Sequence, residues 1–167
     1  VTNGLQDVAL AFEPAEKGVL NRPPRNPKEG ILSSLMVQRT LLMGITLAAG
    51  TLFLFISTLK AGVPLERART IALTTMVFFQ FYQAFNCRSE TRSVFRMSPI
   101  SNPLLFISMI AAFLAQLSVI YVPAFQWIFR TEPITINEWV QILMVSATVI
   151  IAVEIDKWIR RRKSKGG

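Results

Sequence analysis

The sequence predicts an all-α membrane helix bundle, made of the end of one span and four full transmembrane helices. The chain is 51% hydrophobic, yet it contains 18 Lys and Arg residues against 10 Asp and Glu residues. Long apolar stretches alternate with short segments that hold most of the basic residues, as in an integral, multi-pass membrane protein. We expect the lipid bilayer as a partner and no nucleic acid, because the basic residues do not follow one soluble face.

The composition also excludes some chemistry. The chain has no His and one Cys, Cys87, so it cannot build a Cys and His zinc site or close a disulfide on itself. Residues 1–12 are mostly apolar and lack the positive n-region of a secretory signal. We therefore interpret them as the end of a transmembrane helix within a longer protein.

Two apolar stretches predict the first two full spans. Residues 34–59 carry Arg39 near their start and then twenty uncharged residues. At ~1.5 Å per residue this stretch is long enough to cross a hydrocarbon core of ~30 Å. Residues 70–95 are apolar through Phe85 and polar afterwards, so a span here needs water or protein around its end.

The last two spans are predicted over residues 102–122 and 138–158. Pro103 fits the first turn of the third span, where a missing N–H costs little. The other segments are read as connections: a Pro-rich cytoplasmic loop (13–33), a short loop (60–69), a basic loop ending in Pro99, a loop containing Pro123 and Pro133, and a basic cytoplasmic tail (159–167).

The distribution of basic residues predicts the orientation. Leaving out Arg39, thirteen Lys and Arg residues fall on one side of the four spans and four on the other. The positive-inside rule places the first side, with the C-terminus, in the cytoplasm. Three tryptophans near span ends suit interfacial anchors: Trp127, Trp139 and Trp158.

Several short segments carry a family resemblance. They are Val1-Thr2-Asn3-Gly4-Leu5, Ala9-Leu10-Ala11-Phe12-Glu13-Pro14, Asn21-Arg22-Pro23-Pro24-Arg25, Phe85-Asn86-Cys87-Arg88-Ser89-Glu90 and Phe95-Arg96-Met97. In order and spacing they resemble the sixth and eighth membrane helices, and the segments after them, of cation-transporting P-type ATPases of the calcium-pump-like branch.

This resemblance implies a parent protein that uses Mg-ATP, forms an aspartyl phosphate in a cytoplasmic domain and moves a transported cation. The remaining helices and cytoplasmic domains of such a pump would be partners of this chain. No Asp-Lys-Thr-Gly-Thr phosphorylation motif and no phosphate-binding Gly-x-x-x-x-Gly-Lys loop occurs in the sequence. We therefore expect no catalysis and no cofactor in these residues alone.

The first helix carries three candidate metal ligands of the family, Thr2, Asn3 and Asp7. Calcium pumps read Thr-Asp-Gly-Leu-Pro where this chain has Asn3 in place of the Asp, so a carboxylate has become a neutral amide. Asp7 stands four residues later, on the same helical face, and we hypothesise that the charge has been displaced along the pathway. Alternatively, Thr2 and Asn3 are helix-packing residues and Asp7 is simply solvated.

A polar stripe supplies two more candidate ligands, Asn86 and Glu90. Gln83, Asn86 and Glu90 recur at spacings of three and four, which places them on one helix face. The stripe predicts Glu90 as an ion ligand assisted by Asn86. The alternative is an interfacial Glu90 that pairs with Arg88 or Arg92.

The other intramembrane features suggest supporting roles. We expect Arg39 to extend to lipid headgroups, and Gly44 with Ala48 to form a helix-packing pair. Glu154 and Asp156 are expected to pair with the basic run that starts at Arg160.

Together these features predict the C-terminal membrane domain of an ATP-driven cation pump, supplying part of the ion site and a supporting scaffold. A free-standing four-span scaffold or regulatory protein is the alternative from another class. A secondary transporter is less consistent, because neither internal repeats nor helices broken near mid-membrane are evident.

Overall fold

The computed structural model describes residues 2–14, 34–89 and 101–165, and all the regular secondary structure in these residues is helical. The helices are α1 (Thr2–Leu10), α2 (Ser34–Lys60), α3 (Leu65–Cys87), α4 (Pro103–Tyr121), α5 (Pro123–Phe129) and α6 (Ile136–Lys165). The predicted all-α class is confirmed.

Among the described residues, three helices contain segments long and apolar enough to cross a membrane: Met36–Lys60, Pro103–Tyr121 and Ile136–Arg160. The fourth long helix, α3, has 23 residues but a more polar composition. It packs against α2 and α6, and its buried threonines satisfy their own hydroxyl groups. Thr74 and Thr75, for example, each donate to the carbonyl four residues earlier, at 2.7 Å.

The bounds of α3 differ from the predicted span over residues 70–95. The helix begins at Leu65 because Pro64 precedes it, and the turn before it contains Gly62 at φ +80°. This positive φ is accessible to glycine without steric cost. The helix ends at Cys87, with Arg88 as its C-cap, while residues 90–95 lie outside the described residues.

A short helix, α5, occupies the segment that the sequence analysis read as a loop. Pro123 takes the first helical position, which its fixed φ favours, rather than ending the structure. The helix ends at Arg130, whose φ of 50° lies in the left-handed region and whose N–H donates to the Gln126 carbonyl. The loop prediction was wrong here because proline is compatible with a helix start.

The largest core cluster joins α2, α3, α4 and α6 around Phe78. Its ring makes edge-to-face contacts with Phe81, Phe113 and Trp139, at centroid distances of 5.4, 6.0 and 5.6 Å. Trp139, expected as an interfacial anchor, is therefore half-buried against the core. Phe78 fixes α3 between its neighbours.

The close approach between helices occurs at a glycine other than the predicted one. Gly44 and Ala48 are exposed, and a methyl group on Gly44 would meet nothing within 4 Å. A methyl group on Gly50 would lie 2.6 Å from Phe79 Cζ. The small residue that α3 requires on α2 is thus Gly50, because the Phe79 ring occupies the space that a Cβ at this position would need.

Candidate functional site

The residues of α1 face two ways. Asp7 is exposed, whereas Gln6 and Ala9 are buried at 2% and 0% exposure. Ala9 packs with Ala84 of α3 and Leu105 of α4. Thr2 and Asn3 lie in α1, but their side chains fall outside the described ones, so their proposed role as ligands stays a prediction.

Asn86 lies in a cavity between α2, α3 and α6. Its side chain is 3% exposed, and both its Nδ2 and Oδ1 lack a hydrogen-bond partner. The cavity has a volume of about 180 Å³ and is lined by residues that include Arg39, Met43, Gln83 and Lys157. A buried carboxamide without partners costs free energy, and such groups in native proteins call for a ligand, a water or a functional explanation.

Two cationic side chains border this cavity. Lys157, 2% exposed, donates from Nζ to the Asn86 carbonyl at 3.4 Å. Arg39 donates from Nε to Asp156 Oδ2, also at 3.4 Å, so its positive charge is partly compensated. A cation beside Asn86 would be repelled by both groups, and an additional carboxylate would have to offset them.

The structure separates Asn86 from α1. Ala84, which contacts α1, stands two residues before Asn86, and two residues correspond to about 200° around an α-helix. Asn86 therefore faces α2 and α6, on a different side of α3 from Ala84, while Asp7 lies close enough to act electrostatically on the neighbouring Cys87 thiol. Glu90 lies outside the described residues, so its role stays a prediction.

Arg88, which was predicted as an alternative partner of Glu90, forms an ion pair with Glu13. Arg88 Nη2 lies 2.8 Å from Glu13 Oε1, and its Nε donates to the same oxygen at 2.9 Å. Arg39, expected at the headgroups, bonds with Asp156. The expected pairing of Asp156 with the basic run is confirmed by Arg160, at 2.8 Å.

Sequence reasoning missed two other buried amides, Gln6 and Gln80. Gln6 Nε2 and Gln80 Oε1 have no hydrogen-bond partner, and the same holds for Gln83 Oε1. Gln80, Gln83 and Asn86 follow one another at intervals of three residues. That spacing within an apolar stretch was the available signal, and it extends the predicted polar stripe of α3 towards the membrane interior.

Within residues 2–14, 34–89 and 101–165, no group of three or more His, Cys, Asp and Glu side chains is placed to hold a metal ion. The buried side-chain oxygens that lack a hydrogen-bond partner in this part of the chain belong to neutral amide and hydroxyl groups.

Comparison with known proteins identifies the family. The family described as "Cation transporting ATPase, C-terminus" matches residues 1–159. The chain is 38% identical over 156 residues to "Probable cation-transporting ATPase F" of Mycobacterium tuberculosis (strain ATCC 25618 / H37Rv), covering 93% of this chain and 17% of that protein. It is 34% identical over 165 residues to "Calcium-transporting ATPase type 2C member 1" of Homo sapiens, covering 99% and 18%.

The chain thus spans less than a fifth of the length of these relatives. Its match nevertheless extends from α1 to α6 and includes all the segments that carried the resemblance. This chain belongs to the family of cation-transporting ATPases and corresponds to their C-terminal region.

Proposed function

We propose that these residues form the C-terminal membrane region of an ATP-driven cation pump, where they supply part of the ion site and the scaffold around it. The observation that carries the proposal is the 34–38% identity to cation- and calcium-transporting ATPases across 93–99% of the chain. The three membrane-length apolar helices agree with it.

The scaffold role rests on the packing around α3. Phe78 joins this helix to α4 and α6, and Gly50 lets α2 approach it closely. A pump that alternates between inward- and outward-open states needs a rigid reference against which the ion helices move. The α2, α3, α4 and α6 bundle would be that reference.

The ion-site role is proposed for Thr2, Asn3, Asp7, Asn86 and Glu90. Oxygen ligands of these types suit hard cations such as calcium. Only Asp7 and Glu90 bring negative charge to this set. Because Lys157 and Arg39 lie beside Asn86, we expect Glu90 to supply the charge that makes cation binding favourable there.

The rest of the mechanism belongs to the whole protein. We propose that Mg-ATP phosphorylates an aspartate in a cytoplasmic domain and that the C-terminus of this chain is cytoplasmic. Support for the orientation comes from one end of the bundle, which gathers Arg39, Arg88, Lys157 and Arg160. Such clustering is typical of the cytoplasmic side.

The native reading frame that contains residues 1–167 provides the first test. We expect an Asp-Lys-Thr-Gly-Thr motif some hundreds of residues before Val1. A start codon beside Val1 with no such motif would instead favour a free-standing four-span scaffold or regulator.

Ion selectivity provides the second test. In the native protein, Asn3→Asp and Asp7→Ala should each change the apparent affinity or the order of preference among divalent cations. Glu66→Gln is the matched control, because Glu66 is an exposed carboxylate in the first turn of α3. If both α1 variants keep the selectivity and affinity of the control, the displaced-charge hypothesis is wrong.

A further inference from the structure

Three polar side chains join the end of α1 to the end of α3 and the start of α4. They are Glu13, just after α1, Arg88 at the C-cap of α3, and Asn102 at the N-cap of α4. Glu13 Oε1 lies 2.8 Å from Arg88 Nη2 and accepts a hydrogen bond from Arg88 Nε at 2.9 Å. Glu13 Oε2 accepts from Asn102 Nδ2 at 2.9 Å. Arg88 Nη2 also donates to Ser101 Oγ.

Asn102 has a triple role in this group. Its Oδ1 accepts from the Leu105 N–H at 3.0 Å, which caps α4. Its Nδ2 donates to the Ala9 carbonyl at 2.9 Å as well as to Glu13. The Ala9 carbonyl, in the last turn of α1, also accepts from the Phe12 N–H at 3.2 Å, so Asn102 adds a second hydrogen bond to this end of the helix.

The group is buried. The Arg88 and Glu13 side chains are 2% and 17% exposed, and Asn102 is 2% exposed. The Arg88 guanidinium, which is almost fully removed from water, requires tight pairing, and a buried ionic network can specify one arrangement of the elements it joins. Pro14 adds rigidity, because a proline keeps the preceding Glu13 out of helical conformation.

The apolar contacts of α1 do little to fix its position along its own axis. The buried apolar residue of α1 is Ala9, which meets Ala84 and Leu105, with the partly buried Leu10 packed beside it. So small an apolar contact resists sliding less than the directional bonds to Ala9 O and to Glu13. A helix of nine residues also has little stability of its own.

We propose that Glu13, Arg88 and Asn102 form a latch that positions α1 for cation binding. The inference rests on the proposed pump function. Since α1 is a continuous helix, a displacement at Ala9 and Glu13 moves the backbone of Thr2, Asn3 and Asp7 with it. The latch residues are positioning residues, which act on the ion through α1 rather than by touching it.

ATP-dependent uptake of radioactive calcium by vesicles containing the native protein tests the latch. Arg88→Met, Glu13→Gln and Asn102→Asp should each raise the calcium concentration for half-maximal uptake about 10-fold, because small misplacements of binding groups carry costs of this order. The maximal rate per phosphorylated protein should change less than about twofold. The Asn102→Asp variant keeps the cap of α4, since Asp is also an N-cap residue, but it replaces the donor to Ala9 O and Glu13 with a carboxylate that repels Glu13.

A double-mutant cycle tests whether Glu13 and Arg88 act together on the calcium concentration for half-maximal uptake. The combined Glu13→Gln and Arg88→Met variant should be no worse than the Arg88→Met variant alone, because both changes break the same pair. Arg67→Met is the matched control. It removes an arginine that pairs with Glu138 near the start of α6, away from α1, and should leave half-maximal uptake unchanged.

The outcomes separate the latch from the pump function. If the unaltered protein takes up no cation with ATP, the proposed function fails and the latch proposal with it. If it does, but the three variants keep its half-maximal concentration or their effects simply add, only the latch is refuted. If none of the three accumulates in membranes while Arg67→Met does, the group is a folding requirement and the positioning role is equally refuted.

Discussion

The two ends of the helix bundle satisfy their polar groups in different ways. We call the end with Glu13, Arg39, Arg88, Asp156 and Arg160 the charged end, and the end with Arg67, Tyr121, Glu138 and Trp139 the turn end. Both contain ion pairs and buried polar side chains.

At the turn end, the described polar side chains hydrogen-bond to one another and to nearby backbone groups. The Tyr121 hydroxyl donates to the Ile134 carbonyl at 2.9 Å and accepts from Trp139 Nε1 at 2.8 Å. Glu138 Oε2 accepts hydrogen bonds from Arg67 Nη2 at 2.9 Å and from the backbone N–H of Thr135 at 2.7 Å. Glu138 thus caps α6 and ties it to α3 with one carboxylate.

At the charged end, close ion pairs lie beside buried polar atoms that lack a hydrogen-bond partner. Arg88 and Glu13 are tightly paired, yet Asn86, two residues before Arg88, has no partner for either polar atom of its side chain. Buried polar groups without partners destabilise a fold and persist where function needs them. From this difference we infer that the candidate site lies at the charged end and that the turn end serves as scaffold.

The largest expected effect is a difference in stability between variants of the two ion pairs, Arg88 with Glu13 and Arg67 with Glu138. Arg88→Met should destabilise the native protein by about 3 kcal/mol, since the Arg88 side chain is 2% exposed and its removal breaks an ion pair that is largely shielded from water. Arg67→Met should cost about 1 kcal/mol or less, because the Arg67 side chain is 27% exposed and its carboxylate keeps Thr135. The midpoint of thermal unfolding in detergent measures both. Equal shifts for the two variants would remove the distinction between the ends.

A second prediction concerns the helix approach that both ends share. Gly50→Ala should destabilise the protein by about 2 kcal/mol, because the added methyl group would overlap the Phe79 ring. Gly44→Ala, on the same helix with open space around it, is the control and should leave the unfolding midpoint unchanged or slightly raised. A Gly50→Ala variant as stable as its control would show that α2 and α3 lie farther apart.

A third prediction tests the closed network of the turn end. Tyr121→Phe removes a hydroxyl that makes two hydrogen bonds and should cost about 1–2 kcal/mol, with cation transport retained. Unfolding in detergent and calcium uptake, measured on the same preparation, give the two values. Loss of transport without loss of stability would place function at the turn end and contradict the comparison.

The smallest expected effect on stability is at the candidate site. Asn86→Leu should change the unfolding free energy by about 1 kcal/mol or less, in the stabilising direction, because it replaces a buried amide that has no partner. Transport should nevertheless fall. Asn102→Leu is the contrasting variant, since the Asn102 amide makes three bonds and its removal should be destabilising. If Asn86→Leu proved as destabilising as Asn102→Leu, Asn86 would be a structural residue.

The long apolar elements of this fold were predictable from sequence, because twenty uncharged residues after Arg39 can do little except cross a membrane as a helix. Other features depended on partners distant in sequence. Arg88 is 75 residues from Glu13 in the sequence and Asn102 is 89 residues from it, so local sequence patterns could not predict the latch. Likewise, Gly50 rather than Gly44 is the packing glycine because of where Phe79 lies.

For the candidate site, the polar stripe of α3 was visible in the spacing of Gln83 and Asn86. The direction in which Asn86 faces was not visible, since it is the folded structure that places Asn86 in a cavity with residues of α2 and α6. The two cationic neighbours of Asn86 come from other helices and were equally hidden.

The measurement that tests the central claim most directly is ATP-dependent calcium uptake by sealed vesicles containing the native protein, compared between the unaltered chain and Asn86→Leu at matched protein amounts. We expect uptake that requires ATP and that falls in the variant while its thermal unfolding midpoint is retained. No ATP-dependent uptake of calcium or any other cation by the unaltered protein would contradict the pump, and undiminished uptake by Asn86→Leu would contradict the site at the charged end.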